Sequence, residues 1–267
     1  MTSDILVLGE RGQLASAFFG YHRFGRRSLD ITNPTELIKF IAEWKPKVVI
    51  NCSAYTNVDI PMEDWELSRK VNIEAVENLA KLSKTLGFKL IHISTDYVFD
   101  GAKMAPYTET DETRPLSHYG AQKEAAEELI QQYTDNYLII RTSWLWSAGF
   151  NNMVTFFAKS ENTKAIVDHI GCLTHVSTVK NAIEALINAD AKGIYHVTDR
   201  GATTPYEIAS YIRNKLKLSA AEPILAKSLN RPATRPQFSA LDTSKIKSII
   251  DLPHWQRSID EHFIPIG

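Results

Sequence analysis

A chain of 267 residues can bury one large core or two modest ones. Its hydrophobic content of 44% and charged content of 23% are those of an ordinary globular protein, and 30 Lys+Arg against 31 Asp+Glu leave a formal net charge of -1. That balance excludes a basic field for nucleic acid, no apolar run reaches membrane-span length, and Cys52 and Cys172 have no metal-site spacing. A cytoplasmic protein without leader peptide, nucleic-acid partner or membrane partner is expected.

Ile5-Leu6-Val7-Leu8 reads as a short buried strand entering Gly9-Glu10-Arg11-Gly12-Gln13-Leu14-Ala15. Strand, glycine turn and helix start are the parts of a dinucleotide-binding βα unit, where glycine lets backbone N–H groups approach a pyrophosphate at the helix N-terminus. The pattern is G-x-x-G-x-x-A, with Ala15 in place of the third, helix-packing glycine. Tyr21 to Arg27 is expected as the second strand and its exit, followed by Leu29-Asp30-Ile31-Thr32. Arg23, Arg26 and Arg27 cluster where an adenosine ribose would lie, either as a solvated basic turn or as a clamp for the 2′-phosphate of NADP. Asp30 either touches the adenine end or caps the helix after Thr32-Asn33-Pro34. Helix Thr35–Trp44 leads to Val48-Val49-Ile50-Asn51-Cys52, another buried strand, with Cys52 as a buried thiol. Its exit, Ser53-Ala54-Tyr55-Thr56-Asn57-Val58-Asp59, falls at the carboxyl edge, where open parallel sheets bind ligands. A helix from about Trp65 to Gly87 carries Val71, Ala75, Leu79 and Leu82 on its apolar stripe. Asn72 interrupts that stripe, as a structural hydrogen-bonder, a catalytic group, or both.

The strand Lys89 to Ser94 runs into Thr95-Asp96-Tyr97-Val98-Phe99-Asp100-Gly101, so it ends in hydroxyl and carboxylate side chains. Gly101 to Pro115 is loop, and Tyr119-Gly120-Ala121-Gln122-Lys123 opens a helix rich in Ala, Glu and Leu. Tyr119 and Lys123, four residues apart, share a helical face. Such a pair is either ordinary helix surface or, facing a Thr from a strand end, a proton-transfer site. In the second case the ammonium favours the phenolate and draws a phenol pKa of about 10 towards neutrality. Thr95 then holds a carbonyl whose oxygen Tyr119 protonates, beside an ionised Asp96. Tyr137–Thr142 is a further strand, ending in Ser143-Trp144, and the alternation up to this point predicts an α/β parallel sheet with helices on both faces. The pattern then loosens: a short helix within Ala148 to Lys164, strand Ala165–Asp168, helix Thr178–Asp190, strand Ile194–Val197, helix Thr203–Lys217, and a rigid basic loop from Arg231 to Pro236. This part reads as a lobe laid across the sheet edge.

Eight segments stand in the order and spacing of one family: Gly9-x-x-Gly12-Gln13-Leu14, Leu29-Asp30-Ile31-Thr32, Asn51-Cys52-Ser53-Ala54-Tyr55-Thr56-x-Val58-Asp59, Ser94-Thr95-Asp96-Tyr97-Val98-Phe99-x-Gly101, Tyr119-Gly120-x-x-Lys123, Arg141-Thr142-Ser143-Trp144, Asn151-Asn152 and Arg231-Pro232. Over nearly its whole length the chain resembles the dTDP-4-dehydrorhamnose reductases, within the extended short-chain dehydrogenases/reductases. The resemblance implies a Rossmann-type doubly wound parallel sheet with a smaller C-terminal α/β substrate-binding lobe. The dinucleotide-binding domain would span 1–145, completed by about 176–200, with 146–175 and 201–267 holding the sugar nucleotide. It implies NADPH or NADH as cofactor and reduction of the 4-keto group of a nucleotide-activated 6-deoxysugar, above all dTDP-4-dehydro-L-rhamnose to dTDP-L-rhamnose.

Carried over by position, the resemblance makes Tyr119 the general acid. Lys123 would sit on the nicotinamide ribose, Thr95 on the reacting carbonyl, and Asn72 behind a water relay to the lysine. Gly9, Gly12, Gln13 and Leu14 would cover the pyrophosphate, Arg26, Asp30 and Ile31 the adenosine, and Ala54, Tyr55, Thr56 and Ile93 the central cofactor. Asp96, Tyr97, Trp144, Asn152 and Arg231 would join Thr95 on the sugar nucleotide. No metal is implied, since Ala17 stands where some members place a Glu of an inter-subunit magnesium site. A monomer or weak homodimer is expected. Met62, His169 and Leu173 depart from the family pattern. The alternative is a non-catalytic, NADP-binding regulatory subunit resembling that of methionine adenosyltransferase, which is similar to the same family; Thr95, Tyr119 and Lys123 together favour the enzyme.

Overall fold

A computed structural model describes residues 4–263. β1 (Ile5–Leu8) is followed by a single helical turn, α1 (Gln13–Ser16), and by β2 (His22–Phe24). α2 (Pro34–Trp44) opens on proline and is capped by Asn33, whose Oδ1 accepts the Glu36 amide at 3.2 Å. Asp30 is therefore not the cap; its Oδ1 takes the Thr32 amide at 3.0 Å and the Thr32 hydroxyl at 2.7 Å. β3 (Val48–Asn51) leads to α3 (Trp65–Arg69), a π-helical turn over Lys70–Glu74, and α4 (Ala75–Leu86). The single helix expected from Trp65 to Gly87 is thus widened at its middle, with buried Asn72 inside the wide turn, a feature that recurs at functional sites.

β4 (Lys89–Thr95), α5 (His118–Tyr133), capped by Ser117, and β5 (Tyr137–Thr142) complete the first part. Next come β6 (Leu145–Trp146), α6 (Met153–Lys159), β7 (Lys164–Ile166), β8 (Thr174–His175), α7 (Val176–Asn188) and β9 (Gly193–His196). α8 (Pro205–Lys215), β10 (Glu222–Ile224) and α9 (Trp255–His262) follow. The strand expected over 165–168 stops at Ile166, because Asp168 turns its carboxylate to the Ala226 amide at 2.8 Å.

The central sheet has the order β2-β1-β3-β4-β5-β9, and every pairing in it is parallel. Side chains alternate between two cores, which makes the strands apolar on both faces. Val7, Ile50, Ile91 and Ile140 pack with α1 and α7, whereas Leu6, Leu8, Val49, Leu90 and Ile139 pack with α2, α4 and α5. The expected doubly wound α/β fold is the one formed. Its strand order reverses between β1 and β3, the switch point at which such sheets open a crevice beyond their carboxyl ends. β6 with β8, and β7 with β10, make two small parallel ladders over a third core built on Trp146, Phe157, Leu173, Ile208 and Trp255.

Candidate active site

At the switch point, backbone replaces side chains. Gly9 has φ 93°, and a Cβ there would fall 2.8 Å from the Cys52 carbonyl carbon and the Ser53 nitrogen. Only glycine permits both the conformation and the approach. α1 is four residues long and gathers little helix dipole, and the loop before it is held by the Gly9 and Glu10 amides, which donate to the Phe24 carbonyl at 2.8 and 3.1 Å. Beside the loop a cavity of about 240 Å³ is lined by Gly9, Arg11, Gly12, Arg26, Asp30, Ile31 and Ala54. Burial pushes the Asp30 carboxyl up, but the Thr32 hydrogen bonds and the Arg26 charge, 3.5 Å away, outweigh it and hold the group below the usual range. Of the three clustered arginines, Arg26 alone lines this cavity. Arg23 turns back to the Ala15 carbonyl at 3.3 Å, and Arg11, from the glycine loop, takes the second place.

A second cavity, of about 570 Å³, continues past Gln13, Leu14, Ala54, Thr56 and Ile93 to Thr95, Asp96, Tyr119, Trp144 and Asn152. Cys52 follows the strand, which ends at Asn51, and lines both cavities, while burial of its thiol, as the apolar run implied, pushes that group up to about 12. The Tyr55 hydroxyl donates to Asp64 at 2.6 Å, so its ring is held away from the cleft. Asn72 accepts the Tyr55 amide at 2.9 Å, and its Nδ2 donates to the Tyr55 carbonyl at 3.0 Å and to Gln122 at 2.8 Å. Both amide hydrogens are thus committed, and through them Asn72 positions the loop after β3.

The carboxyl end of β4 and the first turn of α5 bring Thr95, Asp96 and Tyr119 together. Thr95 Oγ1 donates to Asp96 Oδ1 at 3.1 Å and accepts the Tyr97 amide at 3.2 Å. Ser239 donates to the other Asp96 oxygen at 2.6 Å. Burial pushes the Asp96 carboxyl up to about 6 despite these hydrogen bonds, so the ionised carboxylate of the sequence reading becomes a group that titrates just below neutrality. Tyr119 is corrected in sign. Burial and the Asp96 charge raise its phenol, and the Thr95 hydroxyl offsets only part of that. The lysine does not reverse it, because Lys123 runs inward and places Nζ 2.8 Å from Nε2 of His92 on β4. Burial brings Lys123 down to about 8, against the opposing charge of Glu127.

Trp144, Asn152 and Met153 form the joint between this cavity and a third, of about 660 Å³, lined by Tyr97, Phe156, Phe157, Ile166, His169, Arg231 and Arg235. Trp144 has φ 38°, a strained value for a bulky residue, and its ring lies on Gly171, where a Cβ would sit 2.7 Å from the indole. Asn152 lines both cavities, yet its Nδ2 already donates to Ser147, Phe150 and Gln13 oxygens at 2.7, 3.0 and 3.0 Å. It caps α6 and ties the glycine loop to the third cavity, and is not a free substrate donor. Arg231 makes no ion pair among the described residues, whereas Arg235 grips Asp59 at 2.6 and 3.1 Å. Burial lifts the Tyr97 phenol to about 12, and Asp96 adds to it.

Sequence reasoning missed Arg11, His92, Asp59 with Arg235, and Ser239. His92 alone carried a local signal: it is a polar residue in an apolar strand, on the same face as Leu90. Among the described residues no three His, Cys, Asp or Glu side chains group as metal ligands, and no helix is long and apolar enough to cross a membrane.

Residues 3–265 match the family model described as RmlD substrate binding domain. A dTDP-4-dehydrorhamnose reductase of Streptomyces griseus is 33% identical over 271 residues, covering 96% of this chain and 87% of that protein. The one from Escherichia coli K12 is 33% identical over 246 residues, 85% of this chain and 82% of its own. A crystal structure of dTDP-4-dehydrorhamnose reductase from Bacillus anthracis, in complex with NADP, superposes with a TM-score of 0.91 at 29% identity, covering 99% of both chains.

Proposed function

The chain belongs to the dTDP-4-dehydrorhamnose reductase family, and on that premise we propose that its cleft carries out NAD(P)H-dependent reduction of the 4-keto group of a nucleotide-activated 6-deoxysugar, dTDP-4-dehydro-L-rhamnose to dTDP-L-rhamnose. The observation that carries this reading is the convergence of Thr95, Asp96 and Tyr119 on the cavity that joins the glycine loop to the aromatic pocket of Trp144. The side-chain-free surface at Gly9 and Gly12 fits a pyrophosphate, and Asp30 with Ile31 fits an adenosine. A bound NAD(P)H supplies the hydride.

The chain's own residues manage the proton. A phenol with a raised pKa keeps its proton until negative charge grows on the C4 oxygen, then donates it. Thr95 turns its hydrogen from Asp96 to the carbonyl, Asp96 accepts a sugar hydroxyl, and Lys123 holds the nicotinamide ribose. Arg231 meets the substrate's phosphates, and Tyr97 and Trp144 pack the sugar. Arg11 and Arg26 together incline the adenosine cleft to NADPH over NADH. We assign 1–145 with 176–200 to cofactor binding and 146–175 with 201–267 to the sugar nucleotide, in a cytoplasmic monomer or weak homodimer.

The test is consumption of NADPH with dTDP-4-dehydro-L-rhamnose by wild type and Tyr119→Phe. The substitution should lower the rate by roughly 10²–10⁴, the usual worth of a positioned general acid, with cofactor affinity kept. A wild type that binds NADPH but reduces no 4-keto sugar nucleotide would give the case to the regulatory-subunit reading.

A further inference from the structure

His92 has no exposed surface and Lys123 is 1% exposed, so their 2.8 Å contact is shielded from water. On the far side of the ring, His92 Nδ1 lies 3.2 Å from Nδ2 of Asn51, its direct partner across the β3–β4 ladder. In this structure Asn51 is oriented in turn by its Oδ1, which accepts the Ser53 backbone N–H at 3.0 Å.

This chain of hydrogen bonds has two arrangements: the first satisfies every donor in it, and the second leaves only the Ser53 N–H, on the cavity wall, without its acceptor. With Asn51 Nδ2 donating to Nδ1, the single proton of a neutral imidazole sits on Nε2 and points at Lys123. An ammonium has no lone pair to receive it, so only an amine completes this arrangement. With Lys123 as ammonium, Nζ donates to Nε2 and the ring proton sits on Nδ1. Asn51 must then turn its amide over to offer Oδ1, and the Ser53 N–H loses its acceptor. A buried donor facing a donor costs about 1–3 kcal/mol, which disfavours mixtures of the two.

Among the described residues, the other titratable groups around Lys123 give its Nζ no ion pair, and its one side-chain hydrogen-bond contact is the His92 ring. Glu127, one turn along α5, is engaged by Arg141 at 2.6, 3.0 and 3.1 Å and by Ser94, and acts on Lys123 only through space. Cys52, at the end of β3, is a thiol that burial keeps protonated, and Tyr119 is a phenol kept neutral in the same way. Burial likewise keeps the His92 ring from taking a second proton.

We propose that His92 is a positioning residue for the reduction: it holds Lys123 and, with Asn51, shifts its one ring proton between Nε2 and Nδ1 as Lys123 passes from amine to ammonium. The exchange takes up one proton in all, since Nζ gains one and the imidazole keeps one. In the ammonium arrangement the Ser53 N–H is released, and Ser53 lines both the adenosine and the central cavity. Protonation of Lys123 and the hydrogen bonding of the cofactor loop are therefore set together. The role in reduction rests on the function proposed above; the proton shift is a property of the chain alone.

Nitrogen NMR of the histidine rings in the whole protein reads the shift directly, with His92→Gln to identify the signal. The ring proton should sit on Nε2 at high pH and on Nδ1 at low pH, with a midpoint near 8. NADPH, by adding negative charge, should raise that midpoint by about 1 unit or more. In Lys123→Met the proton should stay on Nε2 throughout. In kinetics, His92→Phe, which leaves the ammonium no acceptor, should move the alkaline limb of kcat/KM to lower pH by about 1 unit. His92→Gln, whose amide oxygen accepts, should not, whereas a mere packing role would lower activity in both without separating their pH profiles. A ring proton fixed on one nitrogen at all pH, or a shift that survives Lys123→Met, overturns the proposal. A shift seen in a protein that reduces no 4-keto sugar leaves the switch standing and removes only the reductase reading.

Discussion

Gly9→Ala and Gly12→Ala differ by one methyl group each and should part company sharply. At Gly9 the chain has φ 93°, which costs an L-residue about 1–2 kcal/mol. The added Cβ would also lie 2.8 Å from the Cys52 carbonyl carbon and the Ser53 nitrogen, both backbone atoms that cannot swing aside. Overpacking of that kind costs about 1–3 kcal/mol. The sum, about 2–5 kcal/mol, corresponds to a loss of roughly 30- to 4,000-fold if it falls on the loop conformation that binds the cofactor. Gly12 has φ -72°, open to any residue, and its nearest contact would be the Gly9 carbonyl oxygen at 3.1 Å, which a small shift relieves. Less than about tenfold is expected there. Titration of NADPH into each variant, with melting curves to register strain in the free protein, measures both. Equal affinities in the two variants, at unchanged melting temperature, would refute the argument that the Gly9 approach shapes the site.

Asp96 should reveal a cost of function. Its folded carboxyl, at about 6, lies above the ordinary 3.8, so its contribution to stability is fully present below about pH 4 and lost as pH rises through about 6. Asp96→Asn should therefore stabilise the protein at pH 7 by about 2–3 kcal/mol while depressing reduction, and a lower melting temperature would contradict this. For the cofactor, Arg11→Ala and Arg26→Ala should each weaken NADPH by roughly fivefold and leave NADH unchanged, the modest worth of exposed ion pairs. Equal losses for both cofactors would place the arginines elsewhere than on a 2′-phosphate.

How legible was this site in the sequence? Features set by neighbours along the chain were read correctly: the turn at Gly9 and Gly12 after an apolar run, the shared face of Tyr119 and Lys123, the polar end of β4. The family, cofactor class and doubly wound fold followed from them. Tasks set by distant partners were not legible. Asn72 and Asn152 were singled out, but their amide hydrogens are spent on Tyr55, Gln122, Ser147, Phe150 and Gln13. Arg23 and Arg26 differ by three positions, yet one turns to the Ala15 carbonyl and the other to Asp30. The grip of Arg235 on Asp59 joins residues far apart in the chain, and nothing in either stretch announces the other. A π-turn has no signature in a period of 3.6, and only the polar Asn72 on an apolar stripe marked the spot.

On the proposed mechanism, the sign of the Tyr119 shift decides how the chemistry is switched on. A phenol already drawn towards neutrality would be partly ionised at rest and unable to donate, which is a poor starting state for protonating a developing alkoxide. Burial instead keeps Tyr119 protonated and draws Lys123 down to about 8, so the lysine, not the phenol, is the group that titrates near working pH. The negative charges that arrive with cofactor and substrate would raise the phenol further, so on the proposed mechanism Tyr119 keeps its proton until charge grows on the C4 oxygen. The alkaline fall of kcat/KM should accordingly have an apparent pKa near 8 and belong to Lys123. In Tyr119→Phe, the residual rate should keep that limb unchanged, because the titrating group is still present. A limb near 10 in wild type, absent from Tyr119→Phe, would return the titration to the phenol and show that burial had been given too much weight.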